Sequence, residues 1–160
     1  MEFIYLKDKP EFIPQIAHWY FKQWAYLMET PSVEIIKDKL LTQLNCSKIP
    51  LVLLLIKNEK LLGTCQLKYH EMDIYPEKEY WLGGVYICHR QRGKGLAKKL
   101  VIKAKDIAKS LGVKTLYLQT ENLSGGIYSQ LGWQPIEQIT NKGEKVLVMQ
   151  CNLSTSPDNV

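Results

Sequence analysis

Between an apolar run, Tyr80 to Cys88, and an amphipathic stretch, Leu96 to Leu111, the chain carries Arg90-Gln91-Arg92-Gly93-Lys94-Gly95. This strand–glycine loop–helix constrains the fold more than any other segment. Leu96, Leu100, Ala104, Ile107, Ala108 and Leu111 recur at helical spacing, so they form one face that needs a sheet to cover it. Lys94, Lys98, Lys99, Lys103, Lys105 and Lys109 fall on the other face, read as solvated, and Gly112 ends the helix. A helix N-terminus presents unpaired N–H groups and a partial positive charge. Gly93 and Gly95 remove side chains from that approach, and Arg92 and Lys94 add full charges, which describes a cradle for a pyrophosphate. Residue 95 is read as helical or nearly so, a backbone that valine could share. The Rossmann fingerprint needs a glycine where Lys98 stands, and the Walker pattern G-x-x-x-x-G-K-[ST] is absent. The remaining R-x-x-G-x-G also describes a turn that is merely glycine-rich.

The rest of the chain supplies the sheet. Phe3 to Leu6 reads as a short strand. Ile13, Ile16, Ala17, Tyr20, Trp24 and Leu27 mark one helix, and Val33, Ile36, Leu40 and Leu44 a second after Thr30-Pro31-Ser32. Ile49 to Lys57 and Leu61 to Tyr69 flank Asn58-Glu59-Lys60 as a hairpin, followed by a polar loop from His70 to Lys78. Gly83-Gly84 interrupts the strand Tyr80 to Cys88, as a bulge would. Thr115 to Thr120 is a strand, Gly126 to Leu131 a short helix and Lys145 to Cys151 a last strand. That order predicts one α/β domain with a sheet of mixed direction over residues 1–153 and a flexible C-terminal tail over 154–160.

Composition narrows the class. At 160 residues the chain suits one domain, and a hydrophobic fraction of 46% is enough for a core without disulfides or metal. The net charge of +5 is mild and suits a polyanionic small ligand. Aromatic and basic residues are not interleaved on one element, so no nucleic-acid partner is expected. Cys46, Cys65, Cys88 and Cys151 show no paired spacing, and Cys65 and Cys88 read as buried thiols; no metal is expected. The acidic N-terminus and the absence of a run near 20 apolar residues lead us to expect a cytoplasmic protein with no membrane partner.

The segment Val85-Tyr86-Ile87-Cys88-His89-Arg90-Gln91-Arg92-Gly93-Lys94-Gly95-Leu96-Ala97 resembles the acetyl-CoA motif of the GNAT superfamily of N-acetyltransferases. Arg90, Gly93 and Gly95 fill the marked positions of [QR]-x-x-G-x-[GA]. Asn122 and then Ile127-Tyr128-Ser129-Gln130-Leu131-Gly132-Trp133 look like the family's second element, one helix and one strand downstream. The resemblance implies a mixed, mostly antiparallel sheet that splays after a bulge in its fourth strand, with flanking helices. It implies acetyl-CoA as co-substrate, its pantetheine arm against the backbone of Val85, Tyr86 and Ile87. The pyrophosphate would lie on Arg92, Gly93, Lys94, Gly95, Leu96 and Ala97, with Asn122 and Tyr128 also in contact. Tyr128 would serve the leaving thiolate.

Transfer to nitrogen needs a neutral amine, and only about one alkylamine in a thousand is unprotonated at pH 7. A carboxylate can remove that proton. Glu71, Asp73 and Glu79 are the candidates, with His70 a further one; the family's usual place for a glutamate lies near Trp81. Trp19, Phe21 and Tyr26 lie off the helix's apolar face and could line a lip for the acceptor. A small-molecule amine is the acceptor expected, transferred to directly in a ternary complex by a monomer or homodimer. A protein N-terminus or lysine, or an acyl-CoA-binding module without turnover, are the alternatives.

Overall fold

Six consecutive apolar residues, Leu51 to Ile56, can all be buried only in a strand covered on both faces, and they are. The computed structural model describes residues 1–153, so the tail expected over 154–160 lies outside the described residues. The elements are β1 Glu2–Tyr5, α1 Ile13–Trp24, α2 Val33–Leu41, β2 Leu51–Lys57, β3 Lys60–Tyr69, β4 Tyr80–Ile87, α3 Leu96–Ser110, β5 Thr115–Thr120, α4 Gly126–Gln130, β6 Gln134–Asn141 and β7 Glu144–Asn152. The strands form one sheet in the order β1-β2-β3-β4-β5-β7-β6. Every pair is antiparallel except β4–β5, so the sheet is mixed and mostly antiparallel.

Leu51, Leu53 and Leu55 face α3, packing with Leu100, Ala104 and Ala108 in the larger core. Val52, Leu54 and Ile56 point the other way, toward Ile16, Ala17 and Tyr20 of α1 and Leu40 of α2. Each such side chain contributes about 1.5–3 kcal/mol on burial. The turn between β2 and β3 is the two-residue Asn58-Glu59, with φ of 50° and 64°, the left-handed pair that matches the twist of a hairpin.

Three sequence expectations change. The sheet has seven strands where six were read, because β6 gives almost no strand signal. Gln134-Pro135-Ile136-Glu137-Gln138 is largely polar; β6 is an edge paired only to β7, where proline is tolerated. Leu44 is not on α2, which ends at Leu41; it bridges Leu51 instead. The loop from His70 to Lys78 is not wholly polar, since Met72 and Tyr75 bury against Trp81 and Val148 in a third small core.

Candidate active site

The bulge falls where the paired glycines interrupt β4. Gln66 pairs with Gly83 and Thr64 with Tyr86, so Gly84 and Val85 together oppose Cys65. The extra residue changes which side chains face which core. Leu82, Val85 and Ile87 pack on the α3 side, while Trp81 and Tyr86 face the opposite side. Gly84 has φ 58°, and a Cβ there would lie 2.6 Å from the Tyr20 hydroxyl, so glycine is required for both backbone and space. That hydroxyl donates to Gly84 O at 2.7 Å, tying α1 to the bulge. Beside it, β4 and β5 are in register only at Trp81 and Tyr117. Toward the bulge the β4–β5 ladder stops, so among the described residues Gly83 to Ile87 have no strand partner on the β5 side, a gap in the ladder.

At the end of β4 a tight turn over His89–Gln91 leads into the glycine loop. Gly93 and Gly95 have φ of 82° and 76°, and among the described residues nothing stands within 4 Å of where a Cβ would project from either. The expectation of a helical residue 95 is therefore corrected: Gly95 caps α3 in the left-handed region, where valine is strained. Being glycine, it supplies no capping side chain, and the first turn holds no acid. Among the described residues no acceptor meets the N–H groups of Leu96, Ala97 or Lys98; the first to be satisfied is Lys99, on Gly95 O at 3.3 Å. By contrast, α2 is capped by Ser32, which accepts from Ile35 N, and carries Glu34 in its first turn. The Arg92 side chain folds back, its Nε donating to Ile87 O at 3.0 Å and its guanidinium lying over the Tyr86 ring. Lys94 donates to Gln91 Oε1. Of the helix lysines, Lys105 is not merely solvated: it donates to Leu131 O at 2.5 Å and lies over Trp133.

On the other face the structure separates the three acids. Glu71 Oε1 pairs with Lys68 Nζ at 2.7 Å, and its Oε2 accepts from Gln119 Nε2 at 3.0 Å. Gln119 is held in turn by Asn141 Nδ2 at 3.0 Å. A Cβ on Gly83 would come within 2.8 Å of Glu71 Oε1, so this carboxylate fills the space above β4 where Gly83 has no side chain. Asp73 is exposed. Glu79 is exposed, lies about 13 Å of strand from Gly83, and its carboxylate engages the Tyr80 hydroxyl, which raises that phenol's pKa. His70 is exposed, with φ 46°, and its N–H donates to Glu79 O. Lys68, Gln66, Gln119 and Asn141 were not singled out in the sequence. The available signal was Thr64, Gln66 and Lys68 at alternate positions of β3, a polar stripe on one face of a strand otherwise apolar.

The aromatic residues divide. Trp19 stacks on Tyr86 with centroids 4.9 Å apart, and Trp24 meets the same ring edge-on. Phe21 is half-buried. Tyr26 is exposed, and its hydroxyl donates to the Glu121 carboxylate at 2.8 Å, joining the end of α1 to the loop after β5. Tyr128 is half-buried on α4, its ring edge-on to Trp133 at 5.8 Å. Burial is the main cause that pushes its phenol up to about 12, with Cys65 and the Glu71 carboxylate as smaller ones. Its hydroxyl has no hydrogen-bond partner among the described residues and is not sealed from solvent. Asn122 forms a local turn, its Oδ1 accepting from Ser124 N and Oγ. Burial pushes the Cys65 thiol up to about 12, an inert core group, whereas Cys88 is only half-buried. Among the described residues no cluster of His, Cys, Asp or Glu could hold a metal ion, and no helix is long and apolar enough to cross a membrane.

A β4–β5 ladder that stops beside a bulge, with an uncapped glycine-led helix after β4, agrees with the fold that the sequence resemblance implies. The chain belongs to the acetyltransferase (GNAT) family, whose model matches residues 7–133. Its fold is similar to that of a ribosomal-protein-alanine N-acetyltransferase from Brucella melitensis, with TM-score 0.76, 16% identity, and coverage of 95% of this chain and 99% of that one. An aminoglycoside 6'-N-acetyltransferase solved with coenzyme A gives TM-score 0.74 at 14% identity, over 99% of this chain and all 100% of that one. The yncA protein of Salmonella typhimurium, solved with acetyl-CoA, gives TM-score 0.69 at 18% identity, over 100% and 99% of the two chains. Comparison with curated protein sequences finds no significant match.

Proposed function

We propose that the protein is an acetyl-CoA-dependent N-acetyltransferase that acts on the primary amine of a small molecule by direct transfer in a ternary complex. The observation that carries this is the end of the β4–β5 ladder at the Trp81–Tyr117 pair, which leaves the β4 bulge unpaired between the uncapped start of α3 and the Glu71 carboxylate. The free N–H groups at the start of α3, with Arg92 and Lys94 beside them, suit the pyrophosphate of acetyl-CoA. The backbone of Val85 and the N–H of Ile87 would take the pantetheine arm, since Ile87 O already accepts from Arg92 and the Tyr86 backbone is paired with Thr64 on β3. Acetyl-CoA supplies an activated acyl group; the chain's residues orient it and move protons.

Among the candidate bases the geometry favours Glu71. It lies over Gly83 at the gap and is positioned by Gln119, whereas Asp73 and Glu79 are exposed and farther along the chain. An incoming ammonium would exchange with Lys68 at Glu71 and lose its proton there. The Val85 N–H, at the bulge, would meet the developing oxyanion, a contribution that in other acyl transfers is worth about 3–4 kcal/mol. Tyr128, a neutral phenol whose pKa burial pushes up to about 12, would donate to the departing sulfur. Asn122, engaged in its own turn, would support the loop that carries α4 and reach the ligand only through it.

The Tyr26–Glu121 hydrogen bond ties the turn after α1 to the loop after β5, and a strap there would favour a small acceptor over a peptide laid in an open groove. Trp19 and Phe21 would form the adjoining lip. The neighbours named above include acetyltransferases of an aminoglycoside and of a ribosomal protein, so the amine is common to both and the acceptor's size decides between them. Release of CoA with a library of small amines and peptides tests the reading. We expect turnover with one class of small amine and little with peptides. Preference for peptide N-termini would replace the small acceptor, and CoA binding without release under any amine would leave a binding module.

A further inference from the structure

Four ion pairs form among the described residues, and one differs from the rest. In Lys9–Glu11, Lys37–Glu34 and Lys78–Glu77 the acid is 61%, 76% and 64% exposed. In Lys68–Glu71 both partners are largely out of water, at 21% and 15% exposed, with the charged atoms 2.7 Å apart. Withdrawing a pair from water costs desolvation that a surface pair avoids. This pair is also placed against the backbone of the gap. A Cβ on Gly83 would meet Lys68 Cε and Nζ, the latter at 2.9 Å, as well as Glu71 Oε1 at 2.8 Å. The residues that follow Gly83 are the bulge itself. A primary amine therefore already stands beside a carboxylate, on the acceptor face, where β4 leaves β5.

We propose that Lys68 is itself an acetyl acceptor, modified by acetyl-CoA bound in the same molecule. The inference rests on the reading of the gap as the acetyl-CoA site. The Glu71 carboxylate takes one proton from the Lys68 ammonium. The freed lone pair forms the N–C bond to the thioester carbonyl carbon as the C–S bond breaks. The sulfur leaves with the bonding electrons and takes up the second proton lost by nitrogen, giving CoA thiol and an uncharged amide; Glu71 returns its proton to water. No oxidant or further reactant is needed. The product removes the Lys68 charge and sets an acetyl amide in the acceptor's place, so a modified chain acetylates added amines more slowly.

The test incubates the whole protein with acetyl-CoA and no amine, following intact mass and mapping the modified peptide. We expect one acetyl group per chain, on Lys68, at a rate constant independent of protein concentration. Lys98 and Lys99, exposed on α3, report the chemical background, which Lys68 should exceed by about 10²-fold. Glu71→Gln should slow the labelling by a similar factor with the acetyl-CoA-induced thermal shift retained. Lys68→Arg, which keeps a cation beside Glu71, should remove the single-site label. Labelling spread evenly over exposed lysines overturns the proposal, as does an unmodified Lys68 in protein that acetylates an added amine. A protein whose melting temperature acetyl-CoA does not raise refutes the functional reading as well, and so separates the two failures.

Discussion

At position 95 the backbone turns through φ 76° into space with no neighbour among the described residues within 4 Å of a Cβ. Valine there would combine backbone strain with any obstruction of phosphate, so its effect on binding would be ambiguous. Asparagine tolerates the left-handed region and separates the two. Gly95→Asn should leave the melting temperature near the parent's and weaken acetyl-CoA at least tenfold, whereas Gly95→Val should also lose about 1–2 kcal/mol of stability in denaturant titration. Near-parental affinity in folded Gly95→Asn would place the phosphates elsewhere. Tyr128 offers a second test at this scale. Tyr128→Phe should lower turnover by about 10–10³ with acetyl-CoA affinity little changed, the pattern of a lost transition-state contact; turnover within about twofold would make Tyr128 packing for Trp133. Its titration has a defined sign. A phenol raised from about 10 in the unfolded chain to about 12 in the fold contributes stability that is complete below pH 10 and lost as pH rises toward 12. Melting curves across that window should fall less steeply for Tyr128→Phe than for the parent.

Among the elements, α1 and β4 are coupled through one hydroxyl. Tyr20 is buried, and its bond to Gly84 O holds the irregular backbone of the β4 bulge. Tyr20→Phe leaves that carbonyl without its donor and should cost about 1–3 kcal/mol in denaturant unfolding. It should also raise KM for acetyl-CoA, because the bulge is less well held. A loss below about 0.5 kcal/mol with unchanged kinetics would mean that water replaces the hydroxyl. The helix α3 was legible from its period alone, and so were β2, β3 and β5, because burial on one or both faces leaves a pattern in consecutive residues. The strand β6 was not, since an edge strand paired on one side needs few apolar residues.

For the whole molecule, binding and folding are linked. A ligand at a hundred times its dissociation constant stabilises the native state by about 2.7 kcal/mol. Acetyl-CoA should therefore raise the melting temperature, and NAD and ATP, whose glycine fingerprints are missing, much less. Equal shifts with all three would reduce the cradle to a general polyanion site on a chain of net charge +5. The glycine loop and its helix were readable in the sequence because they are contiguous: residues 90–97 carry their own backbone and charge pattern, and with the Asn122 to Trp133 element they carry the family resemblance. The acceptor side was not. Lys68 and Glu71 pair locally at the end of β3, but Gln119 of β5 and Asn141 of β6 reach them only when the strands are laid in one sheet. Of Glu71, Asp73 and Glu79, similar in charge and close in sequence, the tertiary fold alone set one over Gly83 and left the others in water. Local patterns determine what a segment can form; the choice among equivalent carboxylates depends on distances between segments, and those are fixed only by packing.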